Sequence, residues 1–331
     1  MKAYIIPLLV FAISLGLTVL GTKLLIPWLA KKRASQVILQ IGPSWHQAKE
    51  GTPTMGGIIF LAISALLLVP LFVFVFQEIG RARSGMFALV LLFALGNGAV
   101  GIVDDLTKLS KKANKGLAPW QKLALQSVLA GGFVFLYASQ NNFSTELKVP
   151  FSNFTLSLGL LDHPFLLMFL LCFVNCANLS DGIDGLATSV GGWIGIFLIA
   201  CGGLLNLVEV SLLGSLLAGC GFGFLVYNKN PAKIFMGDTG SLFFGALSAA
   251  SACLTGMPLI FFLVGGIYLW EGLSVCIQVV WYKLSHGKRI FKMAPFHHHM
   301  EKSGWSERQI VLLFSLVTIF LSLLAVMGVS I

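Results

Sequence analysis

The sequence predicts an all-α, polytopic integral membrane protein of about ten transmembrane helices, and three observations lead there. Of its 331 residues 57% are hydrophobic and only 11% charged, with a mean hydropathy of +0.90, which leaves too little polar surface to keep a chain of this size in water. Apolar runs able to cross a bilayer, which takes about 20 residues each, recur at 3 to 22, 56 to 76, 86 to 103, 120 to 138, 161 to 178, 185 to 205, 209 to 227, 240 to 256, 258 to 282 and 309 to 330. Strand-type alternation over about ten residues is absent, which excludes a transmembrane barrel. No long polar insertion separates the runs, so residues 1-331 read as one transmembrane domain.

Taken in order, the first run has no small-residue cleavage motif and continues toward Lys31, Lys32 and Arg33, so it reads as a retained span. Gly131 and Gly132 in the fourth run, and Gly214, Gly219 and Gly223 in the seventh, suit close helix packing in lipid. The stretch from 161 to 205 holds two runs whose division is open. All six cysteines (Cys172, Cys176, Cys201, Cys220, Cys253, Cys276) lie inside apolar runs without metal-type clustering and read as packing residues.

With ten spans, alternate loops fall on opposite sides. Seventeen of the 22 Lys and Arg gather in one set of loops, around Lys31 to Lys49, Lys108 to Lys122, Lys229 and Lys233, and Lys283 to Arg308. The positive-inside rule places that set in the cytoplasm and both termini outside, with Arg81 and Arg83 as a local exception. The net charge of +9 is thereby an orientation signal, and nucleic acid is not an expected partner. Five of the six aspartates, all but Asp162, fall in or beside the same cytoplasmic loops. A transporter would more often hold ionisable groups near the bilayer midplane.

Five constellations can carry chemistry. Asp104-Asp105 ends the third run ahead of a Lys-rich segment through Lys122. Helical neighbours point about 100° apart, so the two carboxylates reach one centre from a frayed end or from different directions. Paired hard oxygens suit magnesium with substrate phosphates; a solvated helix end is the alternative. In NCANLSDGIDG, Asn175, Asn178, Asp181 and Asp184 recur every third residue, which on a helix keeps them along one drifting face. Helix-to-helix glue accounts for the asparagines but poorly for the aspartates.

In NKNPAKIFMGDTGS, Asn228, Lys229 and Lys233 precede Phe235, and Asp238 is bracketed by Gly237 and Gly240 at the start of the eighth run. This resembles a phosphate or metal site at a helix N-terminus, or Asp238 is simply an N-cap. In APFHHHMEKSGW, the consecutive His297, His298 and His299 lack zinc-type spacing and fit phosphate hydrogen bonding better. Lys49 with GTPTMGG, after a basic loop containing His46, either aims backbone N–H groups at a ligand or ends a loop. Glu271, inside the ninth run, is an intramembrane carboxylate whose role is open between function and helix pairing, and it stays outside the catalytic set.

In this order and over nearly the whole chain, Lys49-to-Gly57, Asp104-Asp105, NxxNxxDGxDGLA, NxxPAKxFMGDTGS and PFHHHxE resemble the polyprenyl-phosphate N-acetylhexosamine-1-phosphate transferase superfamily, most closely its bacterial muramoyl-pentapeptide branch. Each piece alone is weak; their joint occurrence is specific. The resemblance implies a transferase of the bacterial cytoplasmic (inner) membrane, with its active site facing the cytoplasm. It would move phospho-MurNAc-pentapeptide from UDP-MurNAc-pentapeptide to undecaprenyl phosphate with Mg2+, giving lipid I and UMP in cell-wall synthesis. Motif matching makes Asp104, Asp105 and Asp238 the catalytic acids and metal ligands, Asp238 foremost. It places Lys49, Asn178, Asp181 and Phe235 on the uridine diphosphate and lines the cleft with Lys122, Asn175, Asn228 and the three histidines, Asp184 standing among the substrate-binding residues. It also implies a homodimer. The rival readings are a sister enzyme using UDP-GlcNAc and, in another class, a transporter or flippase.

Overall fold

A computed structural model of the protein describes residues 2–32, 49, 51–111, 116–140 and 146–329. Arg33, His46, Lys112 and Lys115, named above among the basic loops, lie outside the described residues. The described residues form twelve α-helices: α1 (Lys2–Lys31), α2 (Ile58–Ile79), α3 (Arg81–Lys111), α4 (Pro119–Gln140), α5 (Asp162–Leu179), α6 (Leu186–Leu204), α7 (Val208–Asn228), α8 (Gly237–Leu254), α9 (Phe261–Val264), α10 (Gly266–Leu284), α11 (Phe296–Glu301) and α12 (Glu307–Val329). Between α4 and α5, strands β1 (Leu147–Lys148) and β2 (Thr155–Leu156) pair antiparallel.

Eight of these helices are long and apolar enough to span a membrane, or nine if the broken pair α9 and α10 counts as one span. The remaining run, 240 to 256, forms α8, whose first turn is the polar Gly-Asp-Thr-Gly-Ser and whose residues from Thr239 through Cys253 are all buried. The run at 258 to 282, read above as one span, is bent by 80°. The break falls at Gly265-Gly266, where a Cβ on residue 265 would strike the Phe173 ring, so a close glycine contact redirects the helix.

α6, α7 and α8 form the centre, and α1, α2, α4 and α12 line the outside. Small residues let the central backbones touch. A Cβ on Gly195 of α6 would lie 2.5 Å from the Ala218 nitrogen of α7, and one on Gly214 would lie 2.7 Å from the Gly195 carbonyl oxygen. Gly219 and Gly223 sit equally close to α1. Gly131 and Gly132 do not: a Cβ on either meets nothing within 4 Å among the described residues, so that pair makes no close helix contact within this bundle. Leu24 and Val128, 74% and 75% exposed, belong to an apolar outer surface that water would penalise and acyl chains would not.

The Arg83 exception to the charge rule has a local cause. Its guanidinium donates twice to the buried Glu209, from Nε and Nη2 at 2.6 Å each, and from Nη2 to the Asn206 carbonyl at 3.0 Å. A paired arginine is a poor orientation signal, because its charge is cancelled on the spot.

Candidate functional site

The site is built where the C-terminal part of α3 meets the start of α8. Contrary to the frayed-end alternative, α3 runs on to Lys111, so Asp104 and Asp105 sit on regular helix and point different ways. Asp105 reaches across to α8. One oxygen accepts from the Asp238 backbone N–H at 3.1 Å, and the other accepts from the Thr239 N–H at 3.0 Å and its hydroxyl at 2.7 Å. Met236, at the N-cap position, makes no side-chain capping bond. A carboxylate from another helix therefore satisfies two of the free donors at this positive helix end.

Asp238 is thus relieved of capping, which answers the N-cap alternative. Lys122 donates to one of its oxygens at 2.8 Å, and Asn178 to the other at 3.2 Å. Asn178 also accepts from Lys122 at 2.8 Å and donates to Ser241 at 2.8 Å. Asp104 accepts from the Leu117 N–H at 2.8 Å. The Lys108 ammonium stands amid all three acids, 2.6 Å from Asp104, 3.1 Å from Asp238 and 3.7 Å from Asp105. One ligand atom from each aspartate lies within 4.8 Å of the others, a set of hard oxygens able to hold a divalent cation.

Beside this cluster lies a second knot. Lys49 bridges Asp184 at 2.7 Å and Glu307 of α12 at 2.6 Å, while the other Glu307 oxygen accepts from the Asp184 N–H at 2.9 Å. The remaining Asp184 oxygen accepts from Asn230 and from the Ala232 N–H. α5 stops at Leu179, so Asn175 and Asn178 share a helix while Asp181 and Asp184 lie in the turn before α6. The three-residue spacing therefore does not describe one helical face. Gly185, at φ +82°, closes that turn in a conformation L side chains rarely adopt.

Other predicted residues have internal partners. Asn175 donates to Gln126 of α4 at 2.9 Å, and Asn228, buried, accepts from Thr188 and donates to the Ile234 carbonyl. Phe235 is half-buried. Its backbone pairs with the glycine-rich segment: Phe235 N–H donates to the Pro53 carbonyl, Gly56 N–H to Phe235 and Gly57 N–H to Met236. The N–H groups of Gly56 and Gly57 are thereby committed to this ladder rather than aimed at a ligand. His297 is fully buried against Glu271, His298 contacts Glu301 at 2.6 Å, and His299 accepts from the Lys292 N–H at 3.0 Å.

Sequence reasoning treated Lys108 only as loop charge, although its position four after Asp104 and three after Asp105 on a helix places it beside both. Glu307 carried no signal, because an acid opening a helix is ordinary.

Burial first, then the negative charges of Asp238, Asp105 and Asp184, push the Asp181 carboxyl up to about 8 from 3.8. A raised folded-state value means that Asp181 contributes stability fully below about pH 4, and that this is lost as pH rises toward 8. Asp181→Asn in metal-chelated detergent is therefore expected to melt above the parent at pH 8, by about 2–4 °C. The gap should close toward pH 4, as scanning calorimetry across that range would show.

Comparison with known proteins fits this geometry. The profile described as Glycosyl transferase family 4 matches residues 87–256, a span that includes Asp104, Asp105 and Asp238. The chain is a member of that transferase class. A second profile, Phospho-N-acetylmuramoyl-pentapeptide-transferase signature 1, matches residues 49–61. Proteins named phospho-N-acetylmuramoyl-pentapeptide-transferase are similar along almost the whole chain. The one from Clostridium kluyveri is 40% identical over 94% of this chain and 95% of its own length. That from Clostridium novyi is 41% identical over 91% and 90%, and that from Clostridium perfringens 40% identical over 98% of both. The chain belongs to the phospho-N-acetylmuramoyl-pentapeptide-transferase family.

Proposed function

We propose that this protein transfers phospho-MurNAc-pentapeptide from UDP-MurNAc-pentapeptide to undecaprenyl phosphate, releasing UMP and forming lipid I, the first membrane step of peptidoglycan synthesis. The observation that carries the reading is the cluster of Asp104, Asp105 and Asp238 around Lys108 and Lys122, in a chain similar end to end to relatives of that name. The residues act in one transmembrane catalytic bundle of ten spans, α8 and the bent pair included. Both termini lie outside and the cluster faces the cytoplasm of a bacterial inner membrane, an orientation the loop charges favour. A lipid acceptor and a water-soluble nucleotide can meet only at such an interface.

Both reactants are phosphate anions, so the first task is to screen their repulsion. Lys108 and Lys122 supply positive charge at the cluster, and Asp238 with Asp104 would hold Mg2+, for which the three-carboxylate set is chemically suited. An ion bound there would neutralise charge on the diphosphate. An oxygen of the lipid phosphate attacks the sugar-linked phosphorus, the new P–O bond forms, the bond to the bridging oxygen breaks, and UMP leaves with that oxygen. Asp105 spends its oxygens on α8, so Asp104 is the better placed to take a proton from the acceptor. At neutral pH a phosphate monoester with a second pKa of about 6 has mostly lost that proton already.

Lys49, Asn178, Asp181 and Phe235 are assigned to the nucleotide side. Asn175, Asn228 and Asp184, with their internal bonds, shape that side from behind.

The test is UMP release by the purified protein in detergent, given undecaprenyl phosphate and Mg2+ with either UDP-MurNAc-pentapeptide or UDP-GlcNAc. Lipid- and magnesium-dependent release with the muramoyl substrate alone is expected. Turnover of UDP-GlcNAc instead would move the protein to the sister specificity, and silence with both in a folded sample would overturn the reading.

A further inference from the structure

Glu271 is a fully buried carboxylate that the reaction above does not use. It sits on α10, one turn beyond the Gly265-Gly266 break, and no lysine or arginine contacts it among the described residues. Its partner is His297, also fully buried. Both carboxylate oxygens accept from the His297 backbone N–H, at 3.1 and 3.3 Å, and one lies 3.0 Å from the ring Nδ1. A carboxylate can only accept, so the ring meets it as Nδ1–H. That leaves Nε2, which is buried and has no hydrogen-bond partner among the described residues. It faces Gly182 in the turn that carries Asp181 and Asp184: a Cβ on residue 182 would meet Nε2 and lie 2.7 Å from the adjacent Cε1. Only glycine leaves the ring room there.

We infer that Glu271 is a positioning residue, which sets the tautomer and orientation of His297 so that Nε2 meets, through Gly182, the turn that carries Asp181 and Asp184 on the nucleotide side of the site. The inference rests on the proposed transfer reaction. The same carboxylate grips the backbone amide and the ring, so it fixes ring position and proton location together. A second set of contacts holds α11 independently. Trp270, next to Glu271, packs edge-on to Phe296 at 5.4 Å, and Phe291 packs edge-on to Phe296 at 5.6 Å and to Trp270 at 6.5 Å. Loss of the Glu271 charge therefore removes the tautomer control without removing the helix junction.

The consequence separates this role from a structural one. In Glu271→Gln the amide can donate to Nδ1, which moves the ring proton to Nε2 and reverses what the Gly182 turn meets. UMP release with the muramoyl substrate is expected to fall in kcat by about 10²-fold, the scale of a misplaced proton-transfer or hydrogen-bonding group. KM for the nucleotide should change less than about threefold, since uniform binding is not what is lost. The pH–rate profile should also change shape.

Glu271→Asp, which keeps a carboxylate at shorter reach, should restore at least about tenfold over Gln and return the profile toward that of the parent. In a His297→Asn background neither change should matter further, because two residues acting as one unit are not additive. Wild-type kcat and pH profile in a folded Glu271→Gln protein would overturn the inference, and so would additive losses with His297→Asn. If Glu271→Gln fails to give a folded peak on size exclusion, the cycle of Glu271→Asp with His297→Asn decides the matter in its place, with additive losses again overturning the inference. Failure of the parent itself to release UMP would instead sink the proposed reaction, so the two ideas fail separately.

Discussion

Asp238→Asn is expected to lower the rate of UMP release about 10³-fold, a loss of the size seen when an electrostatic or metal-holding group is removed from a water-poor site. The substitution keeps shape and removes charge. Asp238 receives Lys122 at 2.8 Å and Asn178 at 3.2 Å, and lies 3.1 Å from Lys108, so its carboxylate is the one on which the site's cations converge. With an amide there, two ammonium groups lose their shared counter-charge, and only Asp104, with Asp105 farther off at 3.7 Å, still faces Lys108. Helix content should stay at the parental value by circular dichroism, because Asp105, not Asp238, caps α8. Magnesium titration should show the apparent requirement moving to higher concentration. An Asp238→Asn protein with unchanged magnesium dependence and turnover within tenfold of the parent would remove this residue from the chemistry.

The class of fold was legible because lipid imposes a simple rule: apolar length per span. That rule found the helices, but it did not show the bend in one of them or the enclosure of another. The run at 258 to 282 met the length criterion, but nothing in its composition shows that the Phe173 ring packs against Gly265 at the 80° bend. α8 is held by protein on all sides, and its polar first turn is the site itself.

Around the site, residue chemistry was visible and partnership was not. Two adjacent aspartates advertise a cation, but only the position of α8 reveals that Asp105 is committed to its first turn while Asp104 remains beside Lys108. Asn175 and Asn178 looked equivalent by spacing; one ties α5 to α4 and the other holds Asp238. Glu271 stood out as an intramembrane acid, and its meaning lay 26 residues away in His297. Sequence spacing ranks which side chains are chemically able. Tertiary contacts decide which atoms are still free.

The other large expected effect comes from a residue with no side chain. Gly101→Ala should lower UMP release to the level of Asp238→Asn and also lower the melting temperature, whereas Gly131→Ala should leave turnover unchanged and not lower the melting temperature. Gly101 lies one turn before Asp105 on α3, where the helix touches α8 backbone to backbone. A Cβ added at residue 101 would lie 2.5 Å from the Asp238 carbonyl carbon and from the Thr239 Cα, and closer still to the Asp238 carbonyl oxygen. None of those atoms belongs to a flexible side chain, so the helices must separate, at a cost of about 1–3 kcal/mol for an overpacked contact. Separation pulls the Asp238 and Thr239 N–H groups off Asp105 and shifts the Asp238 carboxylate relative to Lys108 and Lys122. Displacement of about 1 Å at a reacting centre costs on the order of 10²-fold by itself, and the lost cap adds to it. Gly131, with open space around its would-be Cβ, is the control for helix propensity alone. Thermal melts and turnover on the pair would distinguish a site placed by glycine contact from one that tolerates movement; a fully active Gly101→Ala protein would mean that α3 and α8 need not touch for the cluster to assemble.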